Sequence, residues 1–102
     1  NAAGRLDVHG ATHLWEVASV RLGPGSPSML LDLSGVDYIS SAGVSTLVRL
    51  LSRCRQLDGS LAIFGCGPRV RLVMEVLMLE AVLNICDTAA AARQRLRDLG
   101  AH

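Results

Sequence analysis

Two adjacent serines, Ser40 and Ser41, stand where an apolar run of the sequence gives way to a helical pattern. They open the stretch Ser40-Ser41-Ala42-Gly43, and a serine at such a junction can serve in two ways. Its oxygen can accept a hydrogen bond from one of the four backbone N–H groups that a helix N-terminus leaves unpaired. It can instead act as a nucleophile, which requires a neighbouring base and an oxyanion-binding motif. Residue types alone favour the capping role for either serine.

The remaining candidates for chemistry are weaker. His9 and His13 are spaced one helical turn apart, as paired metal ligands are, but no third ligand stands nearby, which favours two surface histidines. Asp7 and Asp32 could form an acid–base pair, although such residues at strand ends more often cap turns. The serine stretch lacks the G-x-S-x-G pattern of a hydrolase, and the sequence contains no P-loop. We therefore expect no enzymatic activity, no metal and no other cofactor.

Length and composition indicate a single domain over residues 1–102, in which residues 1–3 are candidates for a tag or a trimmed start. The net charge of +1 offers no long-range attraction to nucleic acid or to an anionic membrane. The three cysteines are widely spaced without a C-x-x-C pair, which favours reduced thiols in a cytoplasmic protein. The apolar runs fall short of the ~20 residues that cross a bilayer.

Helical and strand patterns alternate along the chain. Short apolar runs predict strands at 29–33, 61–64 and 82–85. The predicted helices have apolar faces made of Leu14, Val17, Ala18 and Leu22; Val44, Leu47, Val48, Leu51 and Cys54; Val70, Val73, Met74 and Leu77; and Ala89, Ala92, Leu96 and Leu99. Asp87-Thr88 supplies a cap for the last helix. This alternation predicts parallel βαβ units in one α/β domain.

The order of these segments, from Gly4 to about Leu99, resembles a STAS domain, named after sulphate transporters and anti-sigma-factor antagonists. The motifs that carry the resemblance are G-R-L-D at 4–7, L-D-L-S-G-V at 31–36, I-S-S-A-G-V at 39–44, G-x-x-P-x-V at 65–70 and T-x-x-x-A at 88–92. The resemblance implies a small mixed or parallel sheet with about four helices, packed mainly on one face. Family members usually carry a further strand before the G-x-L-D turn. This sequence begins too late to contain that strand, so we expect either that its start is truncated or that the sheet is completed otherwise, for example by a partner chain.

The resemblance also implies a site. In the anti-sigma-factor antagonist branch, a serine in the motif D-S-[ST]-G is phosphorylated at the start of the long helix. Here the acceptor falls on Ser41, with Ser40 replacing the aspartate and Ala42 the second hydroxyl residue. Ser40 and Gly43 then form the helix N-terminus, with Ser40 as the cap. The partner-binding surface that we expect consists of Ser40, Ser41, Val44, Ser45, Asp7 and Asp32, with the exposed side of the helix over 43–57.

The function implied by the resemblance is that of a bacterial, cytoplasmic regulator. The unphosphorylated chain binds an anti-sigma factor that is also a serine kinase, and this binding frees a sigma factor. Phosphorylation of the chain ends the binding, and a serine phosphatase removes the phosphate again. Neither direct nucleic-acid binding nor membrane insertion is expected, and a second copy of the chain is a further candidate partner through an open sheet edge. The alternative is a STAS accessory subunit of a membrane transporter for lipids or anions, which the replacement of the usual aspartate by Ser40 keeps open.

Overall fold

The computed structural model describes residues 4–100, which contain five strands and four helices. The strands are β1 (Gly4–Leu6), β2 (Met29–Asp32), β3 (Val36–Ile39), β4 (Leu61–Phe64) and β5 (Ile85–Cys86). The helices are α1 (Val8–Ser19), α2 (Ser41–Gln56), α3 (Pro68–Val76) and α4 (Ala89–Gly100). The predicted α/β class is confirmed.

These strands form two small sheets, one with the order β1-β3 and one with the order β2-β4-β5. Every pairing between the five strands is parallel. Parallel neighbours need a long crossover, and α1 and α2 lie within two of these crossovers. The expectation of a missing first strand concerns positions before Gly4, which lie outside the described residues.

The core is aliphatic and joins both sheets to the helices. α1 packs on α2, α3 packs on β3, and α4 packs on β4. The largest fully buried side chains are Leu6, Leu33, Leu47, Leu50, Leu61, Ile63, Met74, Leu83, Val70 and Cys54. Burial of these side chains is the main stabilising contribution to the fold, since apolar surface removed from water contributes about 25 cal/mol per Å².

Some predicted helix faces are wider than the buried faces in the structure. On α1 the buried residues are Ala11, Leu14 and Ala18, whereas Val17 is exposed because it lies outside the narrow stripe that meets α2. Leu22 is buried but follows the end of the helix. Val48 is likewise exposed, because the stripe of α2 runs through Leu47, Leu50, Leu51 and Cys54.

The predicted strand at 82–85 is wrong for most of its length. Residues 80–84 form turns, and β5 contains only Ile85 and Cys86. Asn84 interrupts the run because its backbone is left-handed, with φ of 53°. Its side-chain amide donates a 2.7 Å hydrogen bond to the carbonyl oxygen of Leu61 and so fixes the turn against β4.

Candidate functional site

The serine pair follows β3 at the point where β3 meets β1. Leu6 and Ile39 are paired in register, so Asp7 and Ser40 are the first residues beyond the carboxyl ends of the two strands. The backbone N–H of Ser40 donates to the carbonyl oxygen of Leu6 at 2.9 Å. The chain then turns directly into α2.

Ser40 is the N-cap of α2. Its Oγ accepts a hydrogen bond from the backbone N–H of Gly43 at 3.1 Å and donates one to the carbonyl oxygen of Leu6 at 3.0 Å. The side chain is half-buried. One hydroxyl therefore satisfies an unpaired helix N–H and also fastens α2 to β1.

Ser41 is the first residue of α2, and its side chain is exposed. Its hydroxyl makes no hydrogen bond to any residue between 4 and 100, so a reacting group can approach it from solvent. The two neighbouring serines thus have different surroundings, one engaged in the fold and the other free on the surface.

Gly43 allows α2 to begin this close to β1. A Cβ atom added there would lie 2.6 Å from the carbonyl oxygen of Leu6 and 2.8 Å from the Cγ1 of Ile39. These distances are shorter than any van der Waals contact, and one of the two neighbours is backbone. The absence of a side chain at this position therefore sets the placement of both serines.

Val44 and Ser45 continue the first turns of α2 on different sides. Val44 is partly buried and packs against the core, whereas Ser45 is exposed. Ser45 lies four residues after Ser41, so the two hydroxyls occupy the same face of the helix. That face is polar and open to solvent.

Asp7 lies beside the serines at the end of the neighbouring strand, where adjacent strands are about 4.8 Å apart. It is the N-cap of α1, and its Oδ1 accepts a hydrogen bond from the backbone N–H of Gly10 at 3.0 Å. That bond lowers the pKa of the Asp7 carboxyl, with smaller contributions in the same direction from His9 and Arg5. Asp7 therefore gives the site a fixed negative charge.

Asp32 lies apart from this group. It ends β2 in the other sheet, and its Oδ1 accepts hydrogen bonds from the hydroxyl and from the backbone N–H of Ser34. These bonds lower the pKa of the Asp32 carboxyl. The turn that contains Ser34 precedes β3 whereas Ser40 follows it, and the four residues of β3 span about 13 Å. The structure does not bring Asp32 to the serine pair.

Sequence reasoning missed β3 and the contact that it makes beside the site. Arg5 of β1 pairs in register with Tyr38 of β3, and the guanidinium carbon lies 4.8 Å from the centre of the tyrosine ring. Both side chains are exposed. No local pattern links two residues this far apart, because only the register of the strands brings them together.

No group of three His, Cys, Asp or Glu side chains among residues 4–100 could hold a metal ion, and His9 and His13 are exposed on α1. No helix of the same range has the length and apolar character needed to span a membrane. Burial raises the pKa of the Cys54 and Cys66 thiols, which disfavours the reactive thiolate.

A family model described as the STAS domain matches residues 1–92. The chain belongs to the STAS domain family. Among its STAS relatives is a protein of Bordetella bronchiseptica that carries the provisional name anti-sigma factor antagonist BtrV, 33% identical over 92 residues, which are 87% of this chain and 79% of the relative. The anti-sigma-B factor antagonist of Staphylococcus aureus is 28% identical over 82 residues, 80% of this chain and 76% of that protein.

Solved structures show the same fold. An anti-sigma factor antagonist from Mycobacterium paratuberculosis superposes with a TM-score of 0.81 at 21% identity, covering 94% of this chain and 81% of that one. A Thermotoga maritima protein, provisionally named in the same way, gives a TM-score of 0.82 at 24% identity, covering 92% of this chain and 81% of that one. The expected STAS fold is therefore confirmed.

Proposed function

We propose that this STAS domain is an anti-sigma factor antagonist whose binding is switched by phosphorylation of Ser41. Unmodified, it binds an anti-sigma factor with serine kinase activity and thereby releases a sigma factor in the cytoplasm. The names of the relatives support the class of function. The observation that carries the assignment to Ser41 is its exposed hydroxyl at the first residue of α2, beside a cap that is already engaged.

The hydrogen bonds of Ser40 favour Ser41 as the acceptor. The Oγ of Ser40 is held between Leu6 and Gly43, so a kinase would have to break both hydrogen bonds before it could use that oxygen. The Ser41 hydroxyl needs no such opening. Ser45 is also exposed, but it lies one turn inside the helix, away from the unpaired N–H groups of the N-terminus.

A phosphoryl group on Ser41 adds a charge of about −1.5 to −2. The helix N-terminus accommodates this charge, so the domain beneath stays folded. The partner, in contrast, meets a surface on which Asp7 already carries a negative charge. A phosphoryl group adds further charge and bulk to that surface, and a charge that the partner does not complement costs several kcal/mol in an interface. Each ~1.4 kcal/mol lowers affinity about tenfold. In this proposal the surface around Ser41 is a substrate and not a catalyst, since separate proteins, a kinase and a phosphatase, add and remove the phosphoryl group.

The proposal is tested by incubating the purified chain with its cognate anti-sigma factor and ATP, and by locating the phosphate with mass spectrometry. We expect one phosphate on wild type, none on Ser41→Ala, and one on the matched control Ser45→Ala. Binding to the anti-sigma factor should fall at least a hundredfold upon phosphorylation. Phosphate that persists in Ser41→Ala would overturn the assignment of the acceptor.

A second measurement distinguishes this function from that of a transporter subunit. The chain is used to capture partners from an extract of its own cells, including a solubilised membrane fraction. An anti-sigma factor antagonist should retain a soluble kinase and release it once Ser41 is phosphorylated. Capture of a permease that is insensitive to Ser41→Ala would instead establish the transporter role.

A further inference from the structure

A groove that is open to solvent runs between α1 and α2, and it is here called the α1–α2 groove. It has a volume of about 570 Å³ and is lined by Trp15, Ser19, Arg49, Ser52, Arg53 and Gln56. Each of these six side chains carries a hydrogen-bond donor, and none of them carries a negative charge. The two arginines make the lining positively charged. The chemistry of the groove therefore fits an anion.

Arg49 is held in position by an aromatic ring. Its guanidinium carbon lies over the ring of Trp15, 4.0 Å from the ring centre. Trp15 is partly buried and packs against the core, so this support is itself fixed. A guanidinium in such a position uses its face for the aromatic ring and keeps the N–H groups at its edge for an anion. Arg49 therefore has little side-chain freedom to lose when it binds.

Arg53 follows Arg49 by one helical turn and lines the same groove. One of its terminal nitrogens donates a long hydrogen bond of 3.4 Å to the Oε1 of Gln56. Within residues 4–100 neither Arg49 nor Arg53 forms an ion pair, since both ion pairs found there belong to Arg71. The α1–α2 groove thus contains two oriented positive charges that no carboxylate of this part of the chain neutralises.

We propose that the α1–α2 groove binds an extended acidic segment of a partner protein, with carboxylates two residues apart on Arg49 and Arg53. Four residues of a helix rise by about 6 Å, which separates the two arginines along α2. In an extended segment, side chains two residues apart point to the same side and are separated by about 7 Å. The two spacings agree, so each guanidinium can bind one carboxylate through two parallel hydrogen bonds.

The rest of the groove agrees with a short segment. From Arg49 to Gln56, the last residue of α2, the helix rises by about 10 Å, a length that three or four extended residues span. Ser19 and Ser52 lie along the same length, where their hydroxyls can bond to the backbone of the segment.

Carboxylates suit the α1–α2 groove better than a phosphate does. The groove lies along the second half of α2, and the C-terminal end of a helix carries a partial negative charge. The six lining residues include neither a helix N-terminus nor a glycine-rich loop, which are the usual partners of phosphate. Two separate single charges therefore fit the two arginines better than one concentrated charge.

The proposal does not depend on the function proposed for Ser41. Arg49 lies about 12 Å further along α2 than Ser41, and the binding test needs neither a kinase nor ATP. Loss of the acceptor role of Ser41 would leave the groove unchanged, and an empty groove would leave the assignment of Ser41 unchanged.

Peptide binding to the purified full chain at low salt tests the groove. The probe is a fluorescein-labelled peptide in which glutamate alternates with serine, and its fluorescence anisotropy reports binding. We expect one peptide per chain and no binding of the same peptide with glutamine in place of each glutamate. The unlabelled glutamate peptide should also change the emission of Trp15, the only tryptophan of the sequence. Failure to bind the glutamate peptide, or equal binding of both peptides, would overturn the proposal.

Substitutions assign the binding to the groove. Arg49→Gln and Arg53→Gln should each weaken peptide binding about tenfold, because each removes one charge-assisted pair. Arg49→Lys should weaken it as well, since lysine keeps the charge but lacks the planar group. The matched control is Arg69→Gln, which removes the same charge from an exposed position on α3 and should bind as wild type does.

Circular dichroism checks that each of these variants is folded. An equal loss of binding in Arg69→Gln would show general attraction to a positive protein, and undiminished binding in Arg49→Gln would place the peptide elsewhere. Either result would overturn the proposal.

Competition by inorganic phosphate distinguishes the two kinds of anion. At equal ionic strength, phosphate should displace the peptide no better than acetate does. Displacement by phosphate at concentrations at which acetate has no effect would show that the groove is a phosphate site and would overturn the assignment to an acidic segment.

Discussion

The hydroxyl of Ser40 donates a 3.0 Å hydrogen bond to the carbonyl oxygen of Leu6, so the start of the longest helix is fastened to the end of a strand 34 residues earlier in the chain. The same oxygen accepts from the N–H of Gly43. This arrangement uses one serine for the fold and leaves its neighbour available on the surface. The same substitution at the two positions should therefore have different effects.

Removal of the Ser40 hydroxyl should destabilise the domain. Ser40→Ala deletes a helix cap and a hydrogen bond to β1, and we expect the free energy of unfolding to fall by about 1–2 kcal/mol. Ser41→Ala should change it by less than about 0.5 kcal/mol, as exposed substitutions usually do. Urea denaturation of both variants provides the measurement. Equal effects of the two substitutions would contradict the assignment of Ser40 as the cap, and a larger loss for Ser41→Ala would assign the cap to Ser41.

A methyl group at Gly43 should be poorly tolerated. The added Cβ would lie 2.6 Å from the carbonyl oxygen of Leu6, so α2 has to move away from β1. We expect Gly43→Ala to lower the free energy of unfolding by about 2–3 kcal/mol. Gly100→Ala, at the end of α4 where a Cβ would meet no atom of residues 4–100 within 4 Å, is the control and should be neutral or slightly stabilising. A neutral Gly43→Ala would mean that the helix and the strand are not in close contact.

The stability of the domain should decrease in acid through Asp7 and Asp32. Both carboxyls have a pKa below the ordinary value of 3.8, because hydrogen bonds from Gly10 and from Ser34 stabilise the charged forms. A lowered folded-state pKa contributes stability above the unfolded-state pKa, and that contribution is lost as the pH falls through the folded-state pKa. Carboxyl NMR titration measures the two values.

The variant Ser34→Ala distinguishes the pKa of Asp32 from the pKa of Asp7 in that titration. It removes the largest of the causes that lower the pKa of Asp32, so that pKa should rise toward its ordinary value. The pKa of Asp7, which depends on Gly10, should stay where it is. If Ser34→Ala left the pKa of Asp32 unchanged, the turn at the end of β2 would not be formed as described.

Replacement of Met78 by glycine should stabilise the domain. Relief of the left-handed backbone should raise the free energy of unfolding by about 1 kcal/mol, measured by urea denaturation. Met78→Ala keeps the Cβ atom, so it should give no such gain. A loss of stability in Met78→Gly would indicate that the methionine side chain contributes to the fold of a single chain.

Much of the fold could be predicted because its elements have strong local patterns. The strand over 61–64 appears where it was predicted, since it is a continuous apolar run bounded by turn residues. The stripe Leu47, Leu51 and Cys54 of α2 is buried as its spacing indicated. Ser41 could be singled out because a motif places it at the start of that helix, and its exposure agrees with the expectation.

The parts that sequence reasoning missed depend on contacts between distant residues. β3 was not predicted because Asp37 and Tyr38 form its polar centre, and only pairing with β1 defines it as a strand. The position of Asp32 relative to the serines depends on which sheet β2 joins, and local sequence does not contain that information. The cap formed by Ser40 is visible in the sequence, but its second bond to Leu6 is not.

The surface at Ser41 forms only when β1 pairs in parallel with β3. Pairings between residues this far apart generally form more slowly than local contacts, because the residues must first be brought together. A nascent or damaged chain therefore contains the serine without the geometry that displays it. An enzyme that recognises this geometry would not modify unfolded chains, so only folded chains would take part in signalling.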